Sequence, residues 1–96
     1  MNITVKITIQ EEADAMRLKL EGKVTGAGTK EFERVWRDLE SSLDSKKLIV
    51  DLGGVIHMDS DAIRLLAEIY KKTGAQFVAD SPMTKYFAEE AQRQTN

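Results

Sequence analysis

Most of the residues that could do chemistry lie in one stretch of the chain, residues 51–61. This stretch contains three aspartates, a serine and the only histidine: Asp51, His57, Asp59, Ser60 and Asp61. Clustered carboxylates can bind a hard cation or accept phosphate, a histidine can move protons, and a serine can be phosphorylated. Asp80 is a further carboxylate that the fold could bring to the same end of a sheet.

Each of these functions needs further residues at suitable positions, which the sequence does not supply. No ligand spacing links the aspartates as a metal site would require. A phosphate-accepting receiver domain also needs an acidic pair after its first strand, but Glu11 and Glu12 follow a strand that pairs as a hairpin. His57 would need a partner held in a geometry that no spacing indicates, so we interpret it as a partly exposed loop residue. We therefore predict no catalytic residue, no metal site and no cofactor.

Segment 26–30, Gly-Ala-Gly-Thr-Lys, is a candidate phosphate-binding loop because it follows a strand and opens a helix. A Walker loop requires G-x-x-x-x-G-K-[S/T], and here threonine precedes lysine and no glycine stands five residues before Gly28. The dinucleotide fingerprint also fails, since the position of its third glycine is Glu31. We interpret the segment as a flexible turn.

The elements that position these residues follow from hydrophobic periodicity. Alternation predicts strands at residues 3–10 and 16–21, joined as a hairpin with one solvated face. Spacing of three and four predicts an amphipathic helix over residues 27–43, with Trp36 on its buried side. The apolar run at 47–52 predicts a central strand covered on both faces, followed by a loop at 53–59.

The second half of the chain continues the alternation of strands and helices. Ser60 or Asp59 can cap a second helix, which Gly74 ends. A fourth strand is predicted at 76–79, and Ser81-Pro82 is a strong helix start. The order β-β-α-β-α-β-α predicts a single α/β domain, with helices packed on a four-stranded mixed sheet. We place this domain at residues 1–91 and a polar tail at 92–96.

Composition narrows the classes of function. The 96-residue chain carries a net charge of −2 and has no cysteine. A nucleic-acid binder usually shows a basic face, so nucleic acid is not expected as a partner. The absence of cysteine fits a reducing compartment, and no apolar run is long enough to span a bilayer. We predict a cytoplasmic protein without membrane insertion.

The element order and segment 50–63 resemble the STAS family, which is named for sulphate transporters and anti-sigma-factor antagonists. The family signature is a hydrophobic strand, an Asp-Leu pair, a short loop, and Asp-Ser-Ser/Thr-Gly/Ala-Leu/Ile opening a helix. Here Asp51-Leu52 is followed by the run 59–63, Asp-Ser-Asp-Ala-Ile. The resemblance extends from about Ile3 to Ala91, and it implies a STAS-like fold.

The resemblance also implies a mode of action. In the family, an antagonist binds an anti-sigma-factor serine kinase, and phosphorylation of the second hydroxyl residue of the signature separates the two. In this chain Asp61 stands at that position and cannot be phosphorylated by the same chemistry. Asp61 is then either a favourable first-turn residue of the helix or a partial mimic of the phosphorylated state. Ser60 is a minority candidate for phosphorylation, because Asp59 and Asp61 would repel a phosphate there.

We therefore predict a protein-binding module, monomeric or weakly dimeric, with an anti-sigma-factor serine kinase as the candidate partner. The predicted partner-binding residues are Gly54, Ile56, His57, Met58, Asp59, Ser60, Asp61, Arg64 and Glu68. Two alternatives stay open. One is a STAS adaptor subunit of a transporter or lipid-trafficking ABC complex, and the other is a small-ligand sensor.

Overall fold

Seven elements follow one another in the computed structural model of the chain, which describes residues 4–94. They are β1 (Val5–Glu11), β2 (Ala15–Val24), α1 (Ala27–Glu40), β3 (Lys47–Met58), α2 (Ser60–Thr73), β4 (Gln76–Val78) and α3 (Pro82–Arg93). The strands form one sheet in the order β1-β2-β3-β4. The β1–β2 pair is antiparallel, and the β2–β3 and β3–β4 pairs are parallel. The predicted α/β architecture, a four-stranded mixed sheet with three helices, is confirmed.

The register of the hairpin explains its alternating sequence. Ile7 lies opposite Leu20 and Ile9 opposite Leu18, whereas Thr8 lies opposite Lys19. The apolar side chains therefore share one face of the sheet and the polar side chains share the other. The predicted orientation of Ile3 lies outside the described residues.

A single hydrophobic core lies between that sheet face and the helices. It joins the buried side chains of the two central strands to those of the helices, among them Leu18, Leu20, Val50, Leu52, Phe32, Trp36, Leu66 and Phe87. Trp36 is fully buried, as predicted, although its indole Nε1 has no hydrogen-bond partner. The prediction that the third strand is covered on both faces is wrong, because burial alternates along β3 and Ile49 and Asp51 are only half-buried.

The two central strands are longer than predicted. Strand β2 continues through Gly22 to Val24, and β3 continues through the predicted loop to Met58. The strands stay paired across two register shifts. Gly22 has φ of 90°, and a Cβ there would lie 2.2 Å from the carbonyl oxygen of Thr4. In the sequence these glycines suggest that the strands end. In the structure they instead permit a bulge and a close approach of the backbone.

The ends of the helices follow the predicted signals. Gly74 adopts a left-handed conformation and its amide bonds to the carbonyl of Tyr70. Ser81 and Thr84 form a capping box, with Pro82 as the first residue of α3. Helix α1 ends at Glu40, three residues before its predicted end, but Leu43 is still buried. In the described residues 4–94, no helix is long and apolar enough to cross a membrane.

Helix α3 extends to Arg93, beyond the predicted start of the polar tail. The division into a domain at 1–91 and a tail at 92–96 stays a prediction.

Candidate functional site

Asp59 caps α2 and ties it to the turn before α1. Its Oδ1 accepts a hydrogen bond from the amide of Ala62 at 2.8 Å, and its Oδ2 accepts one from the amide of Gly26 at 2.9 Å. The hydroxyl of Thr29 lies 2.9 Å from Oδ1. Of the two predicted candidates for the cap, Asp59 fills the position, and Ser60 is the first residue of the helix.

The same contacts decide the charge of Asp59. Partial burial opposes ionisation, but the hydrogen bonds from Gly26, Ala62 and Thr29 outweigh it. The nearby His57 also favours the charged form, and the result is a pKa for Asp59 below its ordinary value. Asp59 is therefore a fixed anion that holds two helix starts together.

The turn before α1 is shaped to receive this carboxylate. Gly26 has φ of 54° and ψ of −117°, a positive-φ conformation that glycine adopts far more readily than other residues. The Thr29 hydroxyl also lies 3.0 Å from the carbonyl oxygen of Val24, and its one hydrogen can serve only one acceptor at a time. Gly26 lies in segment 26–30, the candidate phosphate-binding loop of the sequence analysis. Its amide donates a hydrogen bond to the carboxylate of Asp59, a residue of the protein itself.

The link from Gly26 and Thr29 to Asp59 was not predicted from the sequence. The partners are 33 and 30 residues apart. The glycine-rich start of one helix, with Gly26 and Thr29, and an aspartate before another helix are each visible in the sequence. Their pairing depends on the parallel alignment of β2 and β3, which brings Val24 opposite Met58.

Asp61 lies one residue into α2 with its side chain pointing into solvent. Its carboxylate is 2.9 Å from the Arg64 guanidinium, and the two side chains are 70% and 71% exposed. Ser60, beside it, is also exposed. Asp61 and Ser60 are thus available to another molecule, whereas Asp59 is engaged within the fold.

An open groove of about 360 Å³ runs between the starts of α1 and α2. It brings together four of the predicted residues, Asp59, Asp61, Arg64 and Glu68. The sequence did not indicate that α1 contributes the other wall, with Thr29, Lys30 and Glu33 among its lining residues. The groove is lined by both acidic and basic side chains.

Glu68 closes the far end of this groove by joining the two helices. It forms an ion pair with Arg37 of α1 and lies 3.4 Å from Lys72 of its own helix. The hydrogen bond from Arg37 lowers the pKa of Glu68, and the same bond raises the pKa of Arg37. Glu68 therefore has a structural contact as well as its position on the predicted binding surface.

The remaining predicted residues lie at the end of β3. Ile56 is 61% exposed, whereas Met58 is 2% exposed and belongs to the core. His57 is exposed as predicted, but it lies in the strand rather than in a loop. Its ring meets that of Phe87 edge-on, with 6.2 Å between centroids, and Phe87 in turn contacts Tyr86.

Gly54 is exposed in the same part of β3, against Glu21 of β2. The structure thus divides the predicted residues between the groove and the end of this strand.

The four aspartates considered as a possible cluster form two pairs: Asp59 and Asp61 lie at the start of α2, whereas Asp51 and Asp80 both lie beside Gly53. Asp51 pairs with Arg17 across the sheet at 2.9 Å and accepts a hydrogen bond from the amide of Gly53. Within the described part of the chain, no three histidine, cysteine, aspartate or glutamate side chains are grouped to hold a metal ion. Asp51 acts within the sheet, away from the start of α2.

Comparison with known proteins adds family and fold to this geometry. The family model of the STAS domain matches residues 6–79. An anti-sigma factor antagonist from Mycobacterium paratuberculosis superposes with a TM-score of 0.80 at 17% identity, over 98% of this chain and 83% of that chain. A protein of the DUF3478 family with a SpoIIAA-like fold, from Shewanella loihica PV-4, superposes with a TM-score of 0.60 at 18% identity, over 95% and 79%. At these identities the structural likeness shows a shared fold.

Proposed function

Because the chain belongs to the STAS domain family, we propose that it is a regulatory module of the anti-sigma-factor-antagonist type. It acts in the cytoplasm by binding another protein, and it catalyses no reaction. The observation that carries the proposal is the exposed carboxylate of Asp61 in the first turn of α2. By the family resemblance, a phosphorylatable serine or threonine would stand there.

Asp61 places a permanent negative charge on the binding surface. A phosphate at this position would carry a charge of about −1.5 to −2 and three acceptor oxygens. The aspartate supplies one charge and two oxygens, and Arg64 at 2.9 Å offsets part of that charge. The mimicry of a phosphorylated residue is partial, and the surface is set by the sequence rather than by phosphorylation at this position.

The partner contacts a surface with two parts. One is the groove between α1 and α2, where Asp61, Arg64 and Lys30 present charges of both signs. The other is the apolar end of β3 with the neighbouring α3, where Ile56 and Tyr86 are 61% and 53% exposed. Exposed aromatic and aliphatic anchors beside charged groups are typical of protein interfaces. An anti-sigma-factor serine kinase is the candidate partner.

Ser60 is the minority candidate for modification. It is exposed at the helix start, where free amides and the helix dipole favour an anion. Asp59 and Asp61 on either side would repel a phosphate on Ser60. A phosphate found on Ser60 of the wild-type chain would restore a phosphorylation switch, one residue away from the position that the resemblance indicates.

Ligand sensing is a second candidate function, favoured by the groove itself. Its volume of about 360 Å³ lies at the lower end of the range for small-molecule sites. Its charged walls point to a small polar ligand rather than an apolar one. A thermal-shift screen of polar metabolites tests this candidate, because a ligand that binds the folded state raises the melting temperature.

The proposal is tested by calorimetric titration of candidate anti-sigma-factor serine kinases. The wild-type chain is compared with Asp61→Ser, which restores the hydroxyl, and with Asp61→Ala, which removes the charge only. We expect Asp61→Ser and Asp61→Ala to bind the same kinase, and the wild-type chain to bind it more weakly. Failure of all three proteins to bind any such kinase would contradict the proposal and direct the search to transporter and ABC-complex partners.

A further inference from the structure

Strand β1 leaves one edge of the sheet open. Its seven residues pair with β2 on one side, and on the other side no strand of residues 4–94 lies beside it. Native proteins protect such edges with very short strands, charged side chains, prolines, bulges or a covering element. Strand β1 contains no proline, its Lys6 belongs to the polar face of the hairpin, and Ile9 on the helix-side face is 46% exposed.

The hydrogen bonds of the hairpin show which backbone groups face the open edge. The amide of Lys23 bonds to the carbonyl of Thr4, and the amide of Glu12 bonds to the carbonyl of Ala15. Because antiparallel pairing alternates, the even-numbered residues of β1 point their backbone groups at β2. The odd-numbered residues, including Ile7 and Ile9, therefore point their N–H and C=O groups away from the sheet.

Two open grooves lie beside this edge, between β1 and α1. Ile9 and Val35 line both of them. Arg34 lies in the groove near Val5, and Asp38 lies in the groove near Glu11. Helix α1 thus runs beside β1 in the same direction, and Arg34 is paired within the helix with Glu31 and Asp38.

We propose that a second copy of this chain pairs with β1 across this edge, as an antiparallel strand centred on Thr8. In this register Ile7 of one copy lies opposite Ile9 of the other, and the outward backbone groups of the odd-numbered residues meet. Lys6 lies opposite Gln10, so no like charges face each other along the strands.

Strand pairing of this kind gives a weak dimer. A short strand and one apolar strip bury less surface than a standard stable interface. The site at Asp61 lies in the groove between α1 and α2, separate from the β1 edge. The dimer therefore carries two copies of that site, both free to bind.

The test is sedimentation velocity of the full chain at concentrations from about 10 µM to about 1 mM. We expect the mean mass to rise towards twice that of the chain. Ile9→Asp should keep the chain monomeric, because its carboxylate would be buried against Ile7 of the other copy. Ile56→Asp is the matched control, since Ile56 is also exposed but lies on β3, and it should dimerise like the wild type.

Hydrogen exchange supplies a second measurement that does not depend on a variant. The amides of Ile7 and Ile9 should exchange more slowly at high concentration than at low concentration, whereas that of Lys23, already bonded within the hairpin, should not change. A chain that stays monomeric throughout overturns the proposal. A dimer that survives Ile9→Asp, or that Ile56→Asp also abolishes, overturns it as well.

Discussion

Two aspartates that are two residues apart have opposite surroundings. Asp59 accepts hydrogen bonds from the starts of both α1 and α2, whereas Asp61 is 70% exposed and contacts Arg64. The sequence predicts a capped helix at this point, but it does not separate Asp59 from Ser60 as the cap. In the fold Asp59 is the cap, and it also accepts hydrogen bonds from Gly26 and Thr29. These two residues lie close to Asp59 because β2 and β3 align.

Replacing Asp59 separates its roles as cap and as link. Asp59→Ala should lower the free energy of unfolding by about 1–3 kcal/mol, because it removes the cap and leaves the Gly26 amide without its acceptor. Asp59→Asn should cost less, since its carbonyl oxygen can still accept from Ala62. Urea denaturation measures both changes. Equal stability of Asp59→Ala and the wild type would show that the link contributes nothing.

The stability of the fold should depend on the ionisation of Asp59. A carboxyl group whose pKa is lower in the folded state stabilises the fold above the unfolded pKa, about 4. That contribution is lost as the pH falls through the folded pKa. The stability difference between the wild type and Asp59→Asn should therefore shrink below about pH 4 in acid-denaturation curves. A constant stability difference across this range would mean that Asp59→Asn acts by changing the geometry of the hydrogen bonds rather than by removing the charge.

At the scale of elements, alternation, helical spacing, an apolar run and helix-start signals together predict every strand and helix of the described residues, but not the lengths of the central strands. Gly22 and Gly54 resemble breaks, because glycine normally weakens a strand. In the fold they let β2 and β3 stay paired through two register shifts. This pairing carries β3 to Met58 and places Asp59 against the turn before α1. A local pattern cannot show such a contact, because it lies between strands that are distant in sequence.

The ion pair between Arg37 and Glu68 connects α1 to α2 at the surface. Both side chains are partly exposed, so we expect Arg37→Gln to change the free energy of unfolding only slightly. The change should become smaller at high salt, which screens exposed charges. Denaturation at low and high ionic strength checks this. A larger, salt-independent loss would mean that Arg37 matters through packing.

The same variant tests whether Glu68 belongs to the binding surface. Arg37→Gln leaves Glu68 in place, whereas Glu68→Gln removes its charge. If Glu68 contacts the partner, Glu68→Gln should weaken binding more than Arg37→Gln in the kinase titration. Equal effects would assign Glu68 to helix packing alone.

At the scale of the whole molecule, one core on one sheet face supplies the stability, and the exposed surfaces carry the contacts. The alternation in β1 and β2 predicts this arrangement. The apolar run at 47–52 does not, because Ile49 is only half-buried although it is as apolar as its buried neighbours Leu48 and Val50. Substitutions in the core and at the surface should therefore differ strongly in their effects on folding.

Leu18 and Ile9 provide a direct comparison, since they lie opposite each other in the hairpin. Leu18 is fully buried, and Leu18→Ala should cost about 2–5 kcal/mol of unfolding free energy. Ile9 is 46% exposed, and Ile9→Ser should cost about 1 kcal/mol or less. Thermal or urea unfolding at a concentration where the chain is monomeric measures both. Similar losses would contradict the one-core description.

We propose that Asp61 occupies the switch position of a partner-binding STAS domain. The most direct measurement is the intact mass of Asp61→Ser and of the wild type after incubation with the anti-sigma-factor kinase and ATP, followed by peptide mapping. We predict one added phosphate on the introduced hydroxyl of Asp61→Ser and none on the wild type. Phosphate on Ser60 of the wild type, or no phosphate on a variant that binds the kinase, would contradict the claim.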